Sequence, residues 1–113
     1  MNKKEALQEI LAQSIGTQYY YKHSLGGVYT DGIQLIAATA GAYWLLDAIF
    51  SYCRKEGFQM WTLVVRRDRA LLTMREDKGS PKLVCQKIEF SDFPAGKWKF
   101  YLVDGVLMVS REY

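Results

Sequence analysis

A chain of 113 residues, half of them apolar and 14% aromatic, can bury a core of its own, which excludes a disordered tail or a scaffold that depends on disulfides. Its formal net charge of +3 tolerates an acidic partner but lacks the concentrated basic stripe typical of nucleic-acid binders. Two cysteines, Cys53 and Cys85, show neither zinc nor redox spacing, so we expect buried free thiols, no metal and no other cofactor.

The N-terminus, MNKKEALQEI, is charged and has no secretory apolar core, which places the protein in the cytoplasm. Asn2 is positioned to cap a first helix, with Glu5 three places on as its reciprocal partner. Leu7, Ile10 and Leu11 form a narrow apolar stripe on that helix, ending near Gly16. Such a stripe packs on its own domain or on a second chain, so a homo-oligomer stays open. Thr17 to His23 (TQYYYKH) reads as a strand, because three tyrosines follow a β-branched residue. Leu25-Gly26-Gly27 is a flexible connection, and Val28-Tyr29 lead into a cap at Thr30.

From Thr30 to Gly57 runs the longest stretch of low charge. Thr30 and Asp31 suit a helix start, and Arg54, Lys55 and Gly57 suit its end. Ile33, Ile36, Ala37, Ala40, Trp44, Ala48 and Phe50 or Cys53 recur three or four places apart and supply an apolar side to bury. Unbroken from Asp31 to Glu56, this helix would be about 39 Å long, against a diameter of about 34 Å for a compact chain of this size. Gly41 is therefore the natural place for a bend or a junction, although we expect one helix to continue through it, kinked or not. The stretch is also about as long as a membrane span. Asp47 argues against that, since a carboxylate near the bilayer centre costs about 2.5 to 3.5 kcal/mol.

Strand patterns follow. Phe58 to Val65 is apolar on both alternating faces and belongs in the middle of a sheet, with Trp61 on one face and Phe58, Met60 and Val64 on the other. Arg66, Arg67, Asp68 and Arg69 make a charged turn, Ala70 to Arg75 returns, and Lys82 to Phe90 makes a third strand. Asp92 to Gly96 breaks the ladder. Trp98–Val103, Asp104-Gly105 and Val106–Arg111 form the sharpest hairpin signal, because Asp-Gly favours the turn that matches strand twist. That turn sets Trp98, Phe100, Leu102, Leu107 and Val109 on a core face, with Lys97, Lys99, Tyr101 and Met108 opposite. The expected architecture is α+β: a short N-terminal helix and one long helix on a mainly antiparallel sheet of five to six strands, forming a single domain over 1–113.

At Thr30-Asp31-Gly32, Ala42-Tyr43-Trp44-Leu45-Leu46-Asp47, Trp61, Asp92-Phe93-Pro94 and Glu112-Tyr113 the chain resembles a family of small uncharacterised proteins, a domain of unknown function found in phages, plasmids and bacterial genomes. The resemblance covers most of the chain from about Gly16 onward, and the run from Ala42 to Asp47 is its most specific part. It implies no assigned activity and no catalytic residues. What it does imply is context: small proteins of mobile elements often act by binding a host component.

Chemistry-bearing residues are few. His23, the only histidine, would need a carboxylate such as Asp31 folded beside it to act as a base; the plainer reading is a partly exposed histidine at a strand end. Asp47 shares a helical side with Tyr43 and Trp44, and these three form a candidate buried polar or ligand site in which a tyrosine hydroxyl, an arginine or a backbone amide satisfies the carboxylate. Asp31 and Asp47 stand about 24 Å apart along an unbroken helix and cannot work as a catalytic pair. Tyr20, Lys22, His23, Arg66, Arg67 and Arg69 are the candidate partner-binding residues. The function expected is non-enzymatic binding that inhibits or modulates a host protein, a defence system included. Nucleic-acid binding is the alternative, and a small enzyme built on His23, Asp31 or Asp47 ranks third.

Overall fold

The computed structural model describes residues 2–13, 19–52, 57–77, 79–89 and 93–109. Their elements in order are α1 (Lys3–Gln13), β1 (Tyr20–Lys22), β2 (Val28–Thr30), α2 (Asp31–Ala40) and α3 (Tyr43–Phe50). Five strands follow: β3 (Phe58–Arg66), β4 (Arg69–Arg75), β5 (Val84–Ile88), β6 (Gly96–Val103) and β7 (Val106–Val109). The strands form one seven-stranded sheet in the order β1-β2-β7-β6-β3-β4-β5. All neighbours are antiparallel except β2 and β7, which run parallel.

Two expectations are overturned here. The long helix is two short ones, because Gly41 takes a left-handed conformation with φ 66° and ends α2. The amide of Ala42 reaches back to Ala37 O at 2.9 Å and that of Gly41 to Ala38 O at 3.4 Å, a C-terminal motif that satisfies the orphan carbonyls. An unbroken helix of about 39 Å would outrun the molecule, whose longest extent is 37 Å. The break also re-phases the buried side. Ile33, Ile36, Ala37, Ala40 and Phe50 are buried as expected, but α3 also buries Leu45, Leu46 and Ile49, leaving Trp44 and Ala48 at the core's margin. The end expected at Arg54, Lys55 and Glu56 lies outside the described residues, as does Cys53.

The second correction is the strand count. Val28 and Tyr29 do more than lead into a cap: with Thr30 they form β2, which bridges β1 to β7 and extends the sheet to seven strands. Thr30 still caps α2, its Oγ1 accepting from the amide of Ile33 at 3.3 Å. Asn2 caps α1 in the same way, its Oδ1 accepting from Glu5 N at 2.8 Å. The Asp104-Gly105 turn has positive φ at both residues and pairs Val103 with Val106, Leu102 with Leu107 and Phe100 with Val109, so the hairpin reading holds.

The helices cover one face of the sheet. On that face β3 contributes Gln59, Trp61, Leu63 and Val65, β4 Ala70, Leu72 and Met74, and β6 and β7 the five residues named for the hairpin, all buried. Phe93 closes the core edge-on to Trp98, whose indole N–H donates to Pro94 O at 2.9 Å. Trp61, fully buried, donates its own indole N–H to Gln59 Oε1 at 3.0 Å. Between helices and sheet lies a wholly apolar void of about 10 Å³ beside Ile33, Ala37, Leu45, Ile49, Phe93 and Leu107. That is at the lower limit for a single water, so it is a packing defect and not a ligand site.

Candidate functional site

Chain geometry brings His23 to Asp47. His23 follows β1 and Asp47 sits on α3; Nε2 lies 2.8 Å from Asp47 Oδ1. The other ring nitrogen, Nδ1, accepts from the amide of Leu25 at 3.1 Å, which puts the proton on Nε2 as the donor to Asp47. The ring also stacks on Phe50, with centroids 4.6 Å apart. Its side chain is 8% exposed whereas that of Asp47 is 69% exposed. Both ring nitrogens are thereby engaged, Nε2 as donor and Nδ1 as acceptor, so the pair serves as a latch that holds the β1–β2 hairpin against α3. Asp31 is not part of it: it opens α2, where its carboxylate accepts from the amide of Gly32 at 3.1 Å.

An aromatic cluster surrounds this latch. Tyr21 stacks on Tyr29 at 5.5 Å, and Tyr29 reaches Phe50 at 6.2 Å. Burial holds the Tyr29 hydroxyl above its usual 10.0, and the nearby hydroxyls of Tyr43 and Tyr21 push the same way. Tyr43 is exposed and accepts a hydrogen bond from Gln34 Nε2 at 2.9 Å. The trio Tyr43, Trp44 and Asp47 is thus no enclosed polar site: two of its members are exposed, and the donor to Asp47 is a histidine from another element.

The larger feature is the opposite face of the sheet, across which no described element packs. Register places Lys22, Arg66, Arg69 and Arg75 on it, and Lys87, Lys97 and Lys99 with them. Among the described residues, every lysine and arginine of the strands therefore points to the uncovered side, and no aspartate or glutamate stands in a strand. Successive residues on one face lie about 7 Å apart, so the pairing defines rows across the sheet. Val28, Val106, Val103 and Phe58 make the first row; Met108, Tyr101, Met60 and Arg75 the second. Lys99, Thr62, Thr73 and Cys85 form a third, Lys97, Val64, Leu71 and Lys87 a fourth, and Arg66 faces Arg69 at the hairpin end. Lys22 beside Val28 and Arg75 beside Met60 flank the two apolar rows, and the other five strand cations gather toward the opposite end of the strands.

Of the residues singled out from sequence, Tyr20, Lys22, Arg66 and Arg69 share this face, Arg67 occupies the β3–β4 turn with φ 57°, and His23 lies on the helix side. Arg75, Lys87, Lys97 and Lys99 are the members that sequence reasoning left out of the site. Their signal was present in the period-two alternation, but it needed the register of β4, β5 and β6 to become one surface. Cys85, expected buried, is exposed on the same face. Among the described residues, no three of histidine, cysteine, aspartate and glutamate gather as metal ligands would. No described helix is long and apolar enough to cross a membrane.

The chain belongs to a family of unknown function, DUF6876, whose sequence profile it matches over residues 5–113. No curated protein and no solved structure matches it.

Proposed function

We propose that this family member is a non-enzymatic binding protein that inhibits or modulates a host protein in the cytoplasm on behalf of a mobile genetic element, a defence component being one such target. One observation carries the binding reading: all strand cations and a continuous apolar patch share the uncovered sheet face. Two arginines set directly opposite, Arg66 and Arg69, repel each other, at a cost of up to about 1 kcal/mol for such a pair. Stability alone gives no reason to keep them. An anionic partner does.

The test is a pull-down with the tagged full chain from host lysate, alongside the exposed-face variant K97E/K99E. Retention of a partner by the wild type, lost in the variant and weakened by salt, supports this reading. Failure of the wild type to retain any protein overturns it. A second reading, nucleic-acid binding, draws on Tyr20, Lys22, Arg66 and Arg69 sharing that face. It requires a gel shift at low salt that fades steeply as salt rises. The enzymatic reading is the weakest, because the His23 imidazole is already committed to Asp47 and Leu25.

A further inference from the structure

We infer that the uncovered sheet face docks a protein segment of two-part chemistry, apolar at one end and acidic at the other, in one orientation. The inference rests on the binding reading above and specifies its partner. Its basis is that distribution along the strands. Phe58, Val103, Val106, Met60, Tyr101 and Met108 crowd the end nearest the Asp104-Gly105 turn, where Phe58 and Tyr101 pack ring to ring at 5.5 Å. The far end presents Lys97, Lys87, Arg66 and Arg69, with threonines and Lys99 between.

Four rows spaced by about 7 Å, each across four strands spaced by about 4.8 Å, with the Arg66–Arg69 pair beyond them, make a platform of roughly 500 Å². That is comparable to one side of a modest protein interface, whose core favours aromatic residues and methionine. Carboxylates of the partner lie over the cationic rows, and its apolar side chains over the Phe58–Tyr101 end. Reversing the segment would set acids on the valines and methionines between Lys22 and Arg75 and leave Arg66, Arg69, Lys87 and Lys97 against apolar groups. The cost of those unpaired charges fixes the direction.

Single-stranded nucleic acid fits less well. It carries charge at every nucleotide and needs stacking rings and cations interleaved along its whole track. Here the row of Val28, Val106, Val103 and Phe58 has no cation in its middle, and the rows at the other end have no ring.

The probes are three: a synthetic peptide with a leucine-rich block followed by a glutamate-rich block, a scrambled peptide of the same composition, and an oligothymidylate. Each is titrated into the isotope-labelled full chain and read by amide shifts. The block peptide should bind about ten-fold tighter than the scrambled one, shifting β3 and β6 amides, and K97E/K99E should weaken it by a further factor of about ten. Equal affinity for both peptides overturns the inference, as does tighter binding of the oligothymidylate or shifts confined to the helix side. Should K97E/K99E still retain a host protein in the pull-down, the chain remains a binding protein and this face is not where it binds.

Discussion

Gly27 has a φ of +76°, and a Cβ there would stand 2.8 Å from Phe50 Cε1 and 2.9 Å from Gly105 O. The connection Leu25-Gly26-Gly27, read from sequence as flexible, is in fact wedged at Gly27 between α3 and the β6–β7 turn. Val28 N donates to Gly105 O at 2.9 Å and His23 N to Gly27 O at 3.1 Å, so neither neighbour can move away cheaply. Gly27→Ala should destabilise the fold by about 2–4 kcal/mol in urea melts, combining left-handed strain with overpacking. Tyr29 makes a prediction of another kind. Its folded pKa lies above the usual 10.0, so below that pH both states keep the proton and no penalty exists. As pH climbs past 10.0 the unfolded ring ionises first and binds fewer protons, and stability falls. In Tyr29→Phe that part of the alkaline loss disappears, which equilibrium unfolding at several alkaline pH values will show. The partner of Asp47 was not legible in sequence, because a bond spanning 24 positions between a strand end and a helix leaves no local pattern.

At the scale of elements, Gly41 decides how the apolar stretch is used. Its Cβ would meet nothing within 4 Å, so Gly41→Ala is opposed by backbone conformation alone, at about 1–2 kcal/mol. Ala40 and Ala42, each 1% exposed, pin the chain to the core on either side. The variant should therefore lower the melting temperature while leaving the far-ultraviolet circular dichroism unchanged; a gain in helical signal would mean that the two helices had fused. Sequence pointed to this glycine as the place for a bend or a junction, yet one helix was expected to continue through it. What tipped the balance was molecular size together with the glycine's ease in the left-handed region, and periodicity registers neither. Where local chemistry alone determines the outcome, as at the Asn2 and Thr30 caps or the Asp104-Gly105 turn, the reading from residues was accurate.

For the whole molecule, the α+β layering followed from the change of period along the chain, and the interior placement of β3 from its apolar residues on both faces. The width of the sheet did not follow. β2 has three residues, too few to show a period, and its partner β7 is the most distant strand along the chain. That same parallel pair orders events in synthesis. β7 is the last of the described strands along the chain, yet it lies between β2 and β6. Until Val106–Val109 is out, the β1–β2 pair has no ladder to join, and α2 lacks one of the strands it packs on. Closing the chain from Val28 to Val106 comes late and carries the largest loop entropy of any strand pairing here.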